Sequence, residues 1–173
     1  MNTTTSEDFE NAIAELAIRR KLMIYARGID RLDPELVRSA FHPDAVLVYG
    51  QEGSVDSFVD NMGQGGLSTY SFTQHFIGNV IIDISGDKAR SEAYCLARHR
   101  NPAQGEKPES DFLWGGRYID QFEKRNGEWA ITHRICVHDY TRFDDVDEKW
   151  EGAAIFTQGQ HGKNDIVFAN SNQ

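Results

Sequence analysis

Apolar residues recur at helical spacing over the first part of the chain and at alternating spacing over most of the remainder. Between residues 6 and 28, Ile13, Leu16, Ala17, Leu22, Ile24 and Tyr25 lie near one helical stripe, while Arg19, Arg20 and Lys21 make the polar side. Ser6 is the expected N-cap and Gly28 the expected stop. A second helix is predicted from "DPEL", with Asp33 at the cap, Pro34 at the first helical position and Glu35 in the first turn. Leu36, Val37, Ala40 and Phe41 give it an apolar face, and "HPDA" ends it. "AVLVYG" reads as a short strand rich in β-branched residues. Residues 54–63 predict a third short helix, capped by Ser54 and closed by Gly63, before the flexible connection "GQGGLSTYS".

Period-2 alternation then takes over. Four long strands are predicted in "SFTQHFIGNVIIDI", "ARSEAYCLARHRN", "DFLWGGRYIDQFEKR" and "EWAITHRICVHDYTRF". They are separated by "SGDK", by "PAQGEKPES" and by "NG", a strong hairpin signal. From Asp144 onward the tail is polar and Gly-rich, with a short helix expected around Glu148 to Ala154. No internal repeat and no linker composition divides the chain. Helices first and an antiparallel meander afterwards predict an α+β fold in a single domain over residues 1–173. A length of 173 residues suits one domain with a sizeable core.

Composition narrows the function classes. With 39% hydrophobic and 26% charged residues, the chain reads as globular. A net charge of −9 and a pI of about 5.1 argue against a general nucleic-acid partner, which needs a basic face. No apolar run approaches membrane-spanning length, so no membrane partner is expected. The beginning, "MNTTTSEDFE", lacks the basic and apolar regions of a signal peptide, which leads to the expectation of a cytoplasmic protein. Cys95 and Cys136 are then expected to be reduced, and without a C-x-x-C pair they suggest neither zinc nor redox chemistry.

Candidate chemistry centres on Asp30, where the first helix meets the rest of the fold, and on His75, near the start of a strand. Each alone has an ordinary structural reading, as a helix cap and as a buried histidine. Together they make an acid–base device, in which the carboxylate holds one ring nitrogen protonated and leaves the other to take a proton. Strand alternation puts Ala93, Cys95, Ala97 and His99 on one face, small enough to leave room for a ligand. Thr132, Arg134, Cys136 and His138 share another face, which is either a polar pocket wall or exposed to solvent. Ile131, Ile135 and Val137 on the reverse are expected to be core. Phe72, Phe112 and Trp114 either line an aromatic pocket or pack in the core, and Tyr25 and Tyr49 carry the same pair of readings. "GQGG" lacks the Lys-Ser/Thr and the strand–helix setting of a phosphate loop. No histidine spacing suggests a metal site, and no dinucleotide fingerprint is present, so no cofactor is expected.

The segments "IAELAIRRKLMIYARGIDRLD", "LVRSAFHPDAVLVYG", "TQHFIGNVII" and "GGRYIDQFEKRNGEWAITHR" resemble the SnoaL-like branch of the nuclear transport factor 2-like superfamily. The resemblance covers about residues 8–143, leaving 144–173 as a tail. It implies a cone-shaped curved sheet, an α+β barrel, packed against the N-terminal helices. The superfamily includes dehydratases, polyketide cyclases, isomerases, dioxygenase small subunits and binding proteins. Three of its lyases are the most informative: scytalone dehydratase, hexachlorocyclohexane dehydrochlorinase and bile-acid 7α-dehydratase. Their shared Asp–His pair corresponds to Asp30 and His75 as catalytic residues. Pocket residues of one or another correspond to Tyr25, Tyr49 and Arg134, and His99 and His138 are weaker substrate-binding candidates. A second aspartate of the bile-acid enzyme falls at Ala97, and its last-strand arginine near His138, so the substrate should differ. The resemblance implies a cofactor-independent lyase of elimination or deformylating type, acting on a small apolar cyclic or aromatic molecule. An isomerase or cyclase using the same base, and an inert binding or accessory protein, are the alternatives. A homo-oligomer, trimer or dimer, is expected by the same analogy.

Overall fold

The computed structural model describes residues 5–146 and 150–169. The first helix, α1 (Ser6–Asp30), starts one residue earlier than expected. Thr5, not Ser6, is the cap: its hydroxyl accepts from the Asp8 amide at 3.2 Å, and the Asp8 carboxylate accepts from the Thr5 amide at 2.8 Å. This reciprocal capping box satisfies two of the helix's orphan donors. The buried stripe is Ala14, Ile18, Leu22, Tyr25 and Ile29, while Ile13 and Leu16, expected in the core, are exposed. The stripe runs at four- and three-residue steps ending at Ile29, the phase that faces the sheet.

The helix also passes through Gly28 instead of stopping there. Gly28 makes room for the next element: a Cβ on it would lie 2.7 Å from Val37 Cγ2 and 2.9 Å from the Val37 amide nitrogen. Its carbonyl accepts from the Asp33 amide at 2.8 Å, and Leu32 takes a positive φ of 47° to complete the turn. The chain therefore folds straight into α2 (Pro34–Arg38), capped by Asp33 as expected. Asp30 is left on the last turn of α1, aimed at the sheet.

Strands β1 (Phe41–Tyr49) and β2 (Gln51–Ser54) follow, then α3 (Val55–Gly63) with Ser54 as its cap. "HPDA" belongs to β1 and is not a break; Phe41 opens the strand and does not close the helix. Four long strands complete the fold: β3 (Phe72–Ser85), β4 (Lys88–Asn101), β5 (Ser110–Arg125) and β6 (Glu128–Asp145). Asn126 and Gly127, both at positive φ, make the β5–β6 turn that "NG" predicts. In the tail, Glu151–Ile155 forms a short 3₁₀ helix; residues 147–149 of the expected tail helix lie outside the described residues.

The sheet order is β2-β1-β6-β5-β4-β3, and the sheet is curved and open. It is mixed and not purely antiparallel, because β1 runs parallel to β6. The parallel pair joins strands far apart in the chain, whereas β1–β2, β3–β4, β4–β5 and β5–β6 are sequential antiparallel pairs and α3 carries the chain from β2 to β3 at the opposite edge. Helix α1 lies against β3 and β6, so the concave face and the helices enclose the core.

Two bulges in the β5–β6 pair decide what reaches the interior. Between Gln121 and Phe122 the register slips, so Phe122 pairs with Ile131 and Asp120 with Arg134. The extra residue resets the alternation, as a bulge must. Ile131 and Arg134 consequently share the interior face, each at 0% exposure. Ile135 and Val137, expected to be core, lie on the outer side, where Ile135 is 39% exposed.

Candidate functional site

A cavity of about 230 Å³ opens between the end of α1, α3 and the concave face of the sheet. Tyr25 and Ile29 come from the buried stripe of α1, Tyr49 from the end of β1 and Phe58 from α3. The sheet supplies His75, Ala97, His99, Phe112, Trp114, Tyr118 and Cys136. The small face predicted in β4 is therefore the floor that leaves the space, with Ala97 paired to Trp114 and His99 to Phe112. Gly116 shapes the wall: a Cβ there would collide with the Val137 carbonyl and the Trp114 ring. Its absence lets the indole fold back to stack on Tyr118, with centroids 6.0 Å apart.

Asp30 and His75 meet at one side of this cavity. His75 Nδ1 lies 2.8 Å from Asp30 Oδ1, and the His75 backbone amide donates to Asp30 Oδ2 at 2.9 Å. Thr73 Oγ1, two residues earlier on the same face of β3, donates to Oδ1 at 3.0 Å. A carboxylate can only accept, so in the neutral ring the proton sits on Nδ1 and the lone pair on Nε2. Among the described residues Nε2 has no hydrogen-bond partner, and the ring lines the cavity.

At another side, the Tyr25 and Tyr49 hydroxyls lie 2.6 Å apart. Burial pushes the Tyr25 phenol up to about 12 against the opposing pull of the Arg134 charge; Tyr49 is 37% exposed as a residue, and desolvation of its hydroxyl, which meets Tyr25, raises it above the ordinary value. Both stay protonated at neutral pH. One hydroxyl donates to the other, leaving one O–H proton for a ligand.

His99 completes the polar inventory. It is buried, its Nδ1 has no partner among the described residues, and its ring stands 5.4 Å from that of His75. Burial first, then the neighbouring His75 charge, lower it to about 4, so it is a neutral imidazole at pH 7. Burial also raises the Cys95 and Cys136 thiols, to about 11 and about 12, and both remain unreactive thiols.

Three predicted site residues lie elsewhere. Arg134 points inward but does not line the cavity: its guanidinium bonds Asp120 twice at 2.7 Å, and both side chains are fully buried. It lies 4.1 Å from the Tyr25 ring centroid and 4.2 Å from that of Tyr118. Burial alone would lower its pKa, but the Asp120 charge and bonds outweigh this and raise it well above the ordinary value. His138 is exposed and bonds Thr141 at 2.7 Å, next to a second bulge where the pairing skips Asp139. Phe72 alternates with Thr73 and so faces outward, 6.0 Å from the Arg98 guanidinium. Phe112, Trp114, Tyr25, Tyr49 and His99 are in the cavity wall as expected. Period 2 from His75 would have found Thr73. Tyr118 and Phe58, and Leu67, which also lines the cavity, carry no separate sequence signal. Among the described residues, no group of three or more His, Cys, Asp or Glu side chains could hold a metal ion, and no helix is long and apolar enough to cross a membrane.

A SnoaL-like domain profile matches residues 10–135. This chain belongs to the SnoaL-like family. The terrestric acid biosynthesis cluster protein E of Penicillium crustosum is 34% identical over 116 residues, covering 62% of this chain and 73% of that protein. Among solved structures, a protein assigned as a scytalone dehydratase from Novosphingobium aromaticivorans superposes with a TM-score of 0.66 at 24% identity, covering 80% of this chain and 91% of that one. A type 2 hexachlorocyclohexane dehydrochlorinase, LinA, superposes with a TM-score of 0.73 at 17% identity, covering 84% and 99%. At these identities the structural matches establish a shared SnoaL-like fold.

Proposed function

We propose that this SnoaL-like protein is a cofactor-independent lyase acting on a small, largely apolar, cyclic or aromatic molecule. The observation that carries the reading is His75, bonded through Nδ1 to Asp30 at 2.8 Å with its other ring edge in an aromatic cavity. Nε2 takes a proton from carbon, and Asp30 stabilises the imidazolium that forms. The electrons left on carbon expel the leaving group from the adjacent atom. The Tyr25–Tyr49 pair donates a hydrogen bond to that group or to a carbonyl that takes up charge. The cavity of about 230 Å³ suits a compact ring system, and its wall is predominantly aromatic. The fold shared with a dehydrochlorinase and an assigned dehydratase supports elimination as the reaction class.

An isomerase or cyclase is the second reading, favoured by the same tyrosine pair: a hydroxyl that stabilises an enolate serves reprotonation elsewhere as well as elimination. Hydroxylated and halogenated aromatic, terpenoid and steroid compounds, incubated without cofactor and followed by mass spectrometry, separate the readings. Loss of water, halide or formaldehyde marks a lyase; product of unchanged mass marks an isomerase or cyclase. Tight binding of several compounds with turnover of none overturns both in favour of a binding protein.

Self-association is proposed as well. The outer face of the sheet exposes Phe76, Tyr94, Leu96 and Tyr140, with exposures between 40% and 66%. Such a patch calls for cover by a second copy. Light scattering should give a multiple of 19.6 kDa, and a monomeric mass at micromolar protein would remove the proposal.

A further inference from the structure

We propose that His161, in the C-terminal segment outside the span matched by the family profile, is a positioning residue for the Asp30–His75 pair, acting through Thr73. The proposal rests on the assignment of that pair as the base. The segment is tied to the end of α1 through Asp165, which accepts from the Gln160 and Val167 amides at 2.9 and 3.0 Å and lies 3.5 Å from Arg31 Nε. That anchor brings the His161 ring to the start of β3. Its Nδ1 lies 2.9 Å from the Tyr70 carbonyl oxygen, and its Nε2 lies 3.4 Å from Thr73 Oγ1.

The proton count makes the arrangement informative. A carbonyl can only accept, so Nδ1 must carry a proton. The one hydroxyl proton of Thr73 goes to Asp30 Oδ1 at 3.0 Å, so Oγ1 can only accept from Nε2. All three bonds coexist only when both ring nitrogens are protonated. When Nε2 loses its proton to solvent it becomes an acceptor. The Thr73 hydroxyl can then rotate its proton from Asp30 to His161, with no other bond broken. Asp30 Oδ1 loses one donor, and its bond to the His75 Nδ1 proton strengthens. The charge on His161 is thus passed to the group that orients the base. The titratable and charged groups around it are Arg27 and Asp30 on α1, Arg31 just after it, Tyr70 before β3, His75 on β3, His99 on β4 and Asp165 in its own segment.

The test uses the full chain labelled with ¹⁵N in its histidines. Proton NMR follows the His75 Nδ1–H resonance across pH, while the His161 ring nitrogens report their own titration. In the wild type, the His75 resonance should move downfield with the midpoint of His161. In Thr73→Val, which keeps the shape and removes the hydroxyl, His161 should still titrate and that step should vanish. In Thr73→Ser the step should persist, and in His161→Gln it should be absent. Thermal unfolding controls for the fold; if Thr73→Val does not fold, the Ser and Gln variants decide the matter. A His75 resonance blind to the His161 titration, or a step that persists in Thr73→Val or His161→Gln, would overturn the proposal. None of these readings needs turnover, so a failure here is distinct from a failure of the base assignment, which His75→Ala addresses.

Discussion

The carboxylates of Asp120 and Asp30 each hold a nitrogen side chain, and their surroundings make them different devices. Asp120 and Arg134 are sealed at 0% exposure, joined by two parallel bonds of 2.7 Å and enclosed by the Tyr25, Tyr118 and Phe41 rings. Asp30 and His75 share one bond between side chains, and the imidazole keeps a free edge on a cavity. The sealed pair is charged on both sides and has nowhere to send a proton. It stiffens the platform under Tyr25 and Tyr118. The open pair keeps an edge of the imidazole at a cavity. Burial alone therefore does not mark a reactive site. A base needs an orienting partner and an unfilled lone pair facing space that a ligand can occupy.

The strongest way to break this comparison is to disable the open pair. His75→Ala should cost about 10²–10⁴-fold in turnover, the usual contribution of a general base. Asp30→Asn should lose most activity, and the double variant should be little worse than His75→Ala, because the two act as a unit. Circular dichroism should show both folded. Rates near wild type in folded His75→Ala would sink the assignment.

The sealed pair should answer in stability. Arg134→Ala leaves Asp120 buried and uncompensated, at a cost of about 3–5 kcal/mol in urea unfolding. Replacing both residues by leucine should recover much of that loss. A folded Arg134→Ala of unchanged stability, with an altered substrate preference, would return Arg134 to the pocket.

His99 sharpens the contrast through pH. Its folded pKa of about 4 lies below the reference 6.5, so between these values the unfolded chain binds the extra proton. Its contribution is present in full above pH 6.5 and is lost as pH falls toward 4, about 3 kcal/mol in all. Thermal melts over that window should show the loss in the wild type and a shallower slope in His99→Gln. Equal slopes would mean that the ring is not buried neutral.

The smallest effect is expected at the tyrosine pair. Tyr25→Phe removes one hydroxyl of a bond of 2.6 Å and should cost about 1 kcal/mol of stability. Turnover should fall about tenfold, less than a full oxyanion donor is worth, because the Tyr49 hydroxyl remains to donate. An unchanged kcat would remove the pair from the chemistry.

Local rules carried far in this chain. The Asp33–Pro34–Glu35 start of α2, the Ser54 cap, the Asn126–Gly127 turn and the small inward face of β4 depend on neighbours in sequence, and each is where its residues put it. The pairing of Asp30 with His75 was legible from the resemblance to Asp–His lyases, not from spacing, since 45 residues separate the two. Where alternation alone was trusted across β6, it failed. The bulges at Gln121/Phe122 and Gly115/Gly116 are settled by pairing with β5, and a single extra residue exchanges inside for outside. That exchange buried Arg134 and exposed Ile135. The phase of α1 was likewise decided by what it packs on: Ile13 and Leu16 are as apolar as Ile18 and Leu22, but only the second pair meets the sheet. The return of the tail to Thr73 has no signature in the chain at all, because it depends on Asp165 finding Arg31 across the finished fold. Sequence determines what each residue can do locally; register, burial and the approach of distant segments are set by tertiary contacts that no local window contains.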